Sequence, residues 1–220
     1  MFTNLTMPGR RLAGIALLLG LVACAAPNID AKHDVRGASS TGVVSGSITY
    51  NGPYGAYRLE LVSQASGEVF RIEHGRSQGL PFGLGGEKVH PGLRRLGSPF
   101  AVALPTGRYE IKSWHLLSGA ALVSSTAPTG VVFQVDAGQA IYLGNFNFVE
   151  TSRIVRLISG AKVTMSDQAA RDLPVIRSDF PALAEVPITQ TLNPEARIDN
   201  LGGASDARVS ITVPLFIPVR

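Results

Sequence analysis

The chain predicts a mainly β protein: an antiparallel β-sandwich with one short helix near 166–179 and an extended C-terminal segment. Three observations carry this. Apolar and polar residues alternate with a period of two in about eight short stretches. Gly, Pro and Asn signals punctuate those stretches. Only one stretch carries helix-start chemistry.

The first alternation sets Val44, Gly46, Ile48 and Tyr50 against Ser45, Ser47 and Thr49, and Asn51-Gly52-Pro53 ends it. Tyr57, Leu59 and Leu61 then alternate with Arg58 and Glu60. Ser66-Gly67 turns the chain into Val69-Phe70-Arg71-Ile72. Residues 43–73 therefore read as an antiparallel meander. The stretch 74–99 is rich in Gly and Pro and lacks periodicity, so it reads as a long loop.

Alternation returns at Phe100, Val102 and Leu104. Pro105-Thr106-Gly107 turns the chain into Arg108 to Leu117, and 118–130 reads as a second polar loop. Val131 to Val135, the turn 136–139 and Ala140 to Val149 read as strand, tight turn, strand. Arg153 to Leu157 and Lys162 to Met165 are shorter strand candidates. Ser166 is placed to cap a helix, and Asp167 complements the positive end of its dipole. Pro174 would break or kink that helix unless a new turn starts at Asp172. Beyond it, Pro187, Pro194, Pro214 and Pro218 keep the C-terminal region out of a central sheet.

The N-terminus is organised differently. Residues 1–11 carry Arg10 and Arg11 and no acid, and 12–22 is apolar. About 11 apolar residues fall short of the roughly 20 that span a bilayer. A basic start, a short apolar core and small residues before a cut site define a secretory signal. Leu21-Val22-Ala23-Cys24 resembles the lipobox of bacterial lipoproteins. That resemblance implies cleavage before Cys24, diacylglycerol on its thiol and acylation of the new N-terminus. Ala25, where Asp would favour retention in the inner membrane, implies the outer membrane. Cys24 is also the only cysteine, and lipidation removes the liability of a free thiol in an exported protein. The boundaries that follow are a signal at 1–23, lipidated Cys24 with a flexible tether at 24–42, a β-sandwich at 43–165 and a helix with an extended segment at 166–220.

A second resemblance concerns the fold. Phe100 to Ile111, with Leu104-Pro105-Thr106-Gly107-Arg108-Tyr109, resembles the strand, L-P-x-G-x-Y, strand element of transthyretin-like, carboxypeptidase-regulatory-like domains. Residues 131–148 resemble the following strand pair in bacterial lipoproteins. The resemblance covers about 50 residues and implies a sandwich of transthyretin-like or immunoglobulin-like kind. It supplies no active-site residues.

Composition limits the function classes. Removing 1–23 takes away two basic residues and no acid, so the formal charge falls from +4 to +2. That balance does not point to nucleic acid. Gly75-Arg76-Ser77-Gln78-Gly79 matches the nucleophile-elbow pattern, but Leu80-Pro81 follows where a helix must start. Gly85-Gly86-Glu87-Lys88 lacks the Ser or Thr of a phosphate loop. His33, His74, His90 and His115 have no metal-ligand spacing, and Asp199 to Asp206 lacks the ligand density of a calcium loop. No catalytic residue, metal or other cofactor is expected. The stretch 74–99 does gather Arg76, Lys88, His90, Arg94 and Arg95 among Leu80, Phe82, Leu84 and Leu93. This is a candidate surface for anionic lipid, glycan or an acidic envelope protein; the alternative is a solvated loop whose leucines tuck onto the sandwich. Three functional readings stay open. The first is a non-enzymatic binding or scaffold module on the periplasmic face of the outer membrane. The second is an assembly accessory of a surface or secretion complex. The third is a serine hydrolase using Ser77.

Overall fold

The computed structural model describes residues 24–52, 55–75, 88–119, 121–154, 157–192, 196–203 and 210–211. The signal 1–23, Arg76, Ser77, Glu87 and the apolar residues Leu80, Phe82 and Leu84 lie outside them.

In chain order the strands are β1 (Cys24–Ala25), β2 (Thr41–Asn51), β3 (Ala56–Ser63), β4 (Val69–His74), β5 (Leu96–Pro105) and β6 (Gly107–Ser118). They continue with β7 (Ala121–Ser124), β8 (Val132–Val135), β9 (Ala140–Ile154) and β10 (Leu157–Ser166). Helix α1 (Ala169–Asp179) and a 3-10 turn at Pro181–Leu183 precede β11 (Ile188–Gln190), β12 (Arg197–Ile198) and β13 (Ser210–Ile211). One sheet runs β1-β4-β3-β6-β7-β13, with β8 also paired to β6. The other runs β12-β10-β9-β2-β5, with β11 also paired to β9. The molecule is a mainly β structure of two packed sheets and one helix, as the alternation predicts.

The interior between the sheets is built from the alternating apolar positions. Val44, Ile48, Leu59, Leu61, Ile111, Trp114, Phe146 and Phe148 are all buried there. Each large side chain so buried contributes about 1.5–3 kcal/mol relative to exposure. The Trp114 indole donates to the Leu201 carbonyl at 2.6 Å, which ties the C-terminal region to this core.

Chain order and sheet order differ in a way that alternation does not encode. β2 lies in one sheet and β3 and β4 in the other, so 43–73 is a crossover followed by a hairpin, not a meander. Likewise β8 and β9 are not a hairpin: the turn at 136–139 carries the chain between sheets. The sandwich is also not purely antiparallel, because β2 pairs with β9 in parallel. The polar loop expected at 118–130 contains β7, which folds back on β6.

The turn 105–107 is another crossover, from β5 to β6. The Tyr109 hydroxyl donates to the Pro105 carbonyl at 2.9 Å and pins that corner. Burial, reinforced by Glu68, pushes the Tyr109 phenol up to about 12. The local L-P-x-G-x-Y pattern thus has a physical role. Gly107 takes φ +150, and Tyr109 closes the corner.

The segment 24–42, expected as a flexible tether, is packed against the sandwich. β1 pairs in parallel with Phe70 and Arg71. The Asn28 side chain accepts from the Ala101 amide at 2.9 Å, and Ile29 donates to the Ala101 carbonyl at 2.8 Å. Val35 is buried. Two apolar side chains and one amide suffice to dock a stretch that composition alone reads as linker.

Helix α1 begins at Ala169, not Ser166. Ser166 ends β10, and Asp167 accepts from the Ala169 amide at 2.8 Å in its stead. Pro174 sits inside a continuous helix. It removes one backbone bond, and burial of Asp172, Val175 and Ile176 holds the helix through it. The described residues of the C-terminal region do not enter the sheet centres. Its three short strands add to available edges, β11 filling the part of β9 that β10 does not reach.

Tyr109→Phe keeps the ring but removes the corner bond. Urea denaturation of the variant is expected to show a loss of about 1 kcal/mol with an unchanged m-value.

Candidate functional site

The side of β2 that alternates as polar is buried. Helix α1, the 3-10 turn and the N-terminal segment cover the outer face of its sheet. There Val43, Ala101, Ala140 and Tyr142 pack beneath Ala169, Ile176, Phe180 and Leu183. Ser45, Ser47 and Thr49, the polar half of that alternation, are all fully buried.

A polar network answers them. Ser45 donates to the Ile141 carbonyl at 2.8 Å. The Asp172 carboxylate, wholly buried, accepts from Ser47 at 2.5 Å, from the Tyr142 hydroxyl at 2.7 Å and from Arg171 Nε at 2.7 Å. Burial first, and then Asp172, push the Tyr142 phenol far up, so Tyr142 acts here only as a donor. Asn145 Nδ2 donates to Ser47 Oγ at 2.7 Å and to Thr49 Oγ1 at 3.0 Å.

Beyond the helix start the same face opens. Asn145 and Asn147, two apart on β9, share a face. Ser166 and Thr164 on β10 lie directly opposite them. The next strand outward sets Arg197 opposite Ser166. Arg95 enters just before β5, and Gln168 and Arg171 come from the start of α1. These eight residues line a cleft of about 180 Å³. Among the described residues no carboxylate lines it.

The three guanidinium groups differ in their partners. Arg197 pairs with exposed Asp199 at 2.8 Å. Arg171 uses Nε on Asp172, while its buried Nη2 has no partner among the described residues. Arg95 is exposed and has no ion pair among them. The Asn147 amide nitrogen also has no partner there, since Asn147 engages Thr49 through Oδ1.

The residues singled out from sequence separate. Arg95 lines the cleft, whereas Lys88 and Arg94 are exposed away from it. His90 Nε2 meets Asp179 Oδ2 at 3.1 Å, at the far end of α1. Leu93 is buried, and Gly92 lies so close to Val175 that a Cβ would meet its methyl at 2.6 Å. This end of the loop is therefore docked on α1. Arg76 and Ser77 lie outside the described residues.

His115 belongs to a separate network on the other sheet. Its Nδ1 meets Ser124 Oγ at 2.7 Å, and its Nε2 lies 3.3 Å from Glu60 Oε2. Ser113 bridges His115 and Glu60, and Arg71 donates to Glu60 at 3.1 Å. Serine, histidine and carboxylate are thus in line. Among the described residues the surrounding strand amides belong to the β3–β6–β7 ladders. Of the stretch Asp199 to Asp206, residues 204–206 lie outside the described residues. Leu201 and Gly202 carbonyls already accept from Trp114, Thr126 and Ala127. Among the described residues no cluster of His, Cys, Asp and Glu is arranged for a metal ion, and no helix is long and apolar enough to cross a membrane. No protein-family model, curated protein or solved structure matches the chain.

Little in the sequence marks Asn145, Asn147, Thr164 and Ser166 as a set, because register brings them together. Their alternation with Phe146, Phe148, Val163 and Met165 was the available signal. It announces a polar face without saying that the face is walled.

Asp172→Ala leaves Arg171, Ser47 and Tyr142 without their shared acceptor. Denaturation is expected to show a loss of about 3 kcal/mol, as for breaking a buried pair. For Glu60, burial works to raise the carboxyl, but His115, Arg71 and Ser113 together hold it below its usual 4.5. A depressed carboxylate stabilises the fold above its unfolded value and loses that contribution as pH falls through the folded one. Stability should therefore decline below about pH 4.5, and Glu60→Gln should flatten that decline.

Proposed function

We propose that this chain is a lipid-anchored module of the bacterial cell envelope that binds an anionic envelope component without converting it. The observation that carries the reading is the cleft. Arg95, Arg171 and Arg197 border a floor of amides and hydroxyls that, among the described residues, no carboxylate lines. Arginine forks suit carboxylate and phosphate oxygens. The polar lining argues against a large apolar ligand, whose pockets are mostly hydrophobic.

The lipobox-like Leu21-Val22-Ala23-Cys24 supports the anchor and the export that it requires. The packing of 24–42 changes the geometry of that anchor. Cys24 pairs with Phe70 in a sheet, so the lipid attaches at the body of the fold and not at the end of a free tether. The domain would then sit against the bilayer, on the periplasmic face of the outer membrane if Ala25 acts as in Gram-negative lipoproteins.

The cleft favours binding over a purely structural accessory docked by strand addition. Short segments of the chain itself already pair with the outer strands of both sheets: β1 on β4, β13 on β7 and β12 on β10.

Fractionation tests the anchor. Cys24→Ser should move the protein from the membrane fraction to the soluble one. Retention of the variant in the membrane would overturn the lipid anchor.

A further inference from the structure

We infer that the cleft between the β9–β10 face and the start of α1 recognises a monocarboxylated sugar of the uronic-acid class. This rests on reading the cleft as the ligand site. The inference comes from charge, size and lining.

Charge comes first. Of the three arginines, two already have a carboxylate beside them, Asp172 at Arg171 and Asp199 at Arg197. Arg95 alone has no ion pair among the described residues. Among the described residues the surplus is therefore about one positive charge, which a single carboxylate balances and a phosphate dianion exceeds. Arg171 also lines the cleft, with its Nε committed to Asp172.

The floor supplies the second part. The Asn147 amide nitrogen, without a partner among the described residues, and the Thr164 hydroxyl stand on adjacent strands, directly opposite each other. Directly opposed side chains lie about 5 Å apart. Paired donors and acceptors at that spacing suit neighbouring hydroxyls on one ring. A bare carboxylate would leave them to water. A cleft of about 180 Å³ takes one such ring, well below the roughly 300–1,000 Å³ of sites for drug-sized ligands. No aromatic ring lines it, so stacking adds nothing and the free monosaccharide should bind in the millimolar range.

Amide NMR on the soluble Cys24→Ser protein tests this, with glucuronate, galacturonate, glucose, acetate and inorganic phosphate titrated in turn. A uronate is expected to shift the side-chain amides of Asn145, Asn147 and Gln168, with glucose and acetate at least tenfold weaker. Arg95→Gln, which breaks no ion pair among the described residues, should weaken the uronate at least tenfold without altering thermal stability. Asn147→Ala should weaken it while leaving any acetate binding unchanged. If acetate or phosphate binds as well as the uronates, the sugar assignment is overturned and the anion cleft stands. If no probe moves these amides, both the sugar assignment and the cleft as ligand site are overturned.

Discussion

The arrangement depends on one buried carboxylate. Asp172 lies beneath α1 with no exposure to solvent, accepting from one strand through Ser47, from another through Tyr142 and from its own helix through Arg171. An ionised group in an apolar interior is tolerable only when such donors surround it. It therefore fixes where α1 can sit. Moving the helix by one residue along the sheet would break the bonds from Ser47 and Tyr142. The position so fixed covers the apolar half of the sheet face, leaves the polar half open and holds Arg171 at the boundary between them.

That division explains why one face of a single sheet serves two purposes. Under the helix the face is a second core, with Val43, Ala101 and Tyr142. Beyond the helix start it is the hydroxyl and amide floor of the cleft. Asn145 joins the two, with its amide turned inward to Ser47 and Thr49 while its residue still lines the opening. The amide orientation beside the cleft is thus set by the same network that holds the helix.

Much of the fold was legible in the chain because alternation reports a two-sided strand directly. Val44 to Tyr50, Tyr57 to Leu61 and Phe100 to Leu104 are strands where the pattern puts them. Which sheet each strand joins was not legible, because a short turn such as Pro105-Thr106-Gly107 reads the same whether it closes a hairpin or crosses between sheets. The buried polar face of β2 was missed for a related reason. Ser, Ser and Thr look solvated until a helix is known to cover them. Of the basic residues, Arg95 could be placed in a loop but not in a cleft, since its neighbours there, Asn147 and Arg197, lie far along the chain. The docking of Asn28, Ile29 and Val35 rests on so few side chains that composition averages it away.

The parallel pairing of β2 with β9 has a consequence for the order in which the molecule is made. Val43 lies between Ala103 on β5 and Ala140 on β9, and Ser47 awaits Asp172 from beyond both. Contacts so distant in sequence close late and slow folding. A nascent chain that has emerged only as far as β8 holds β2 with one neighbour and a row of buried-type hydroxyls facing water. The first long strand made is thus among the last to be completed.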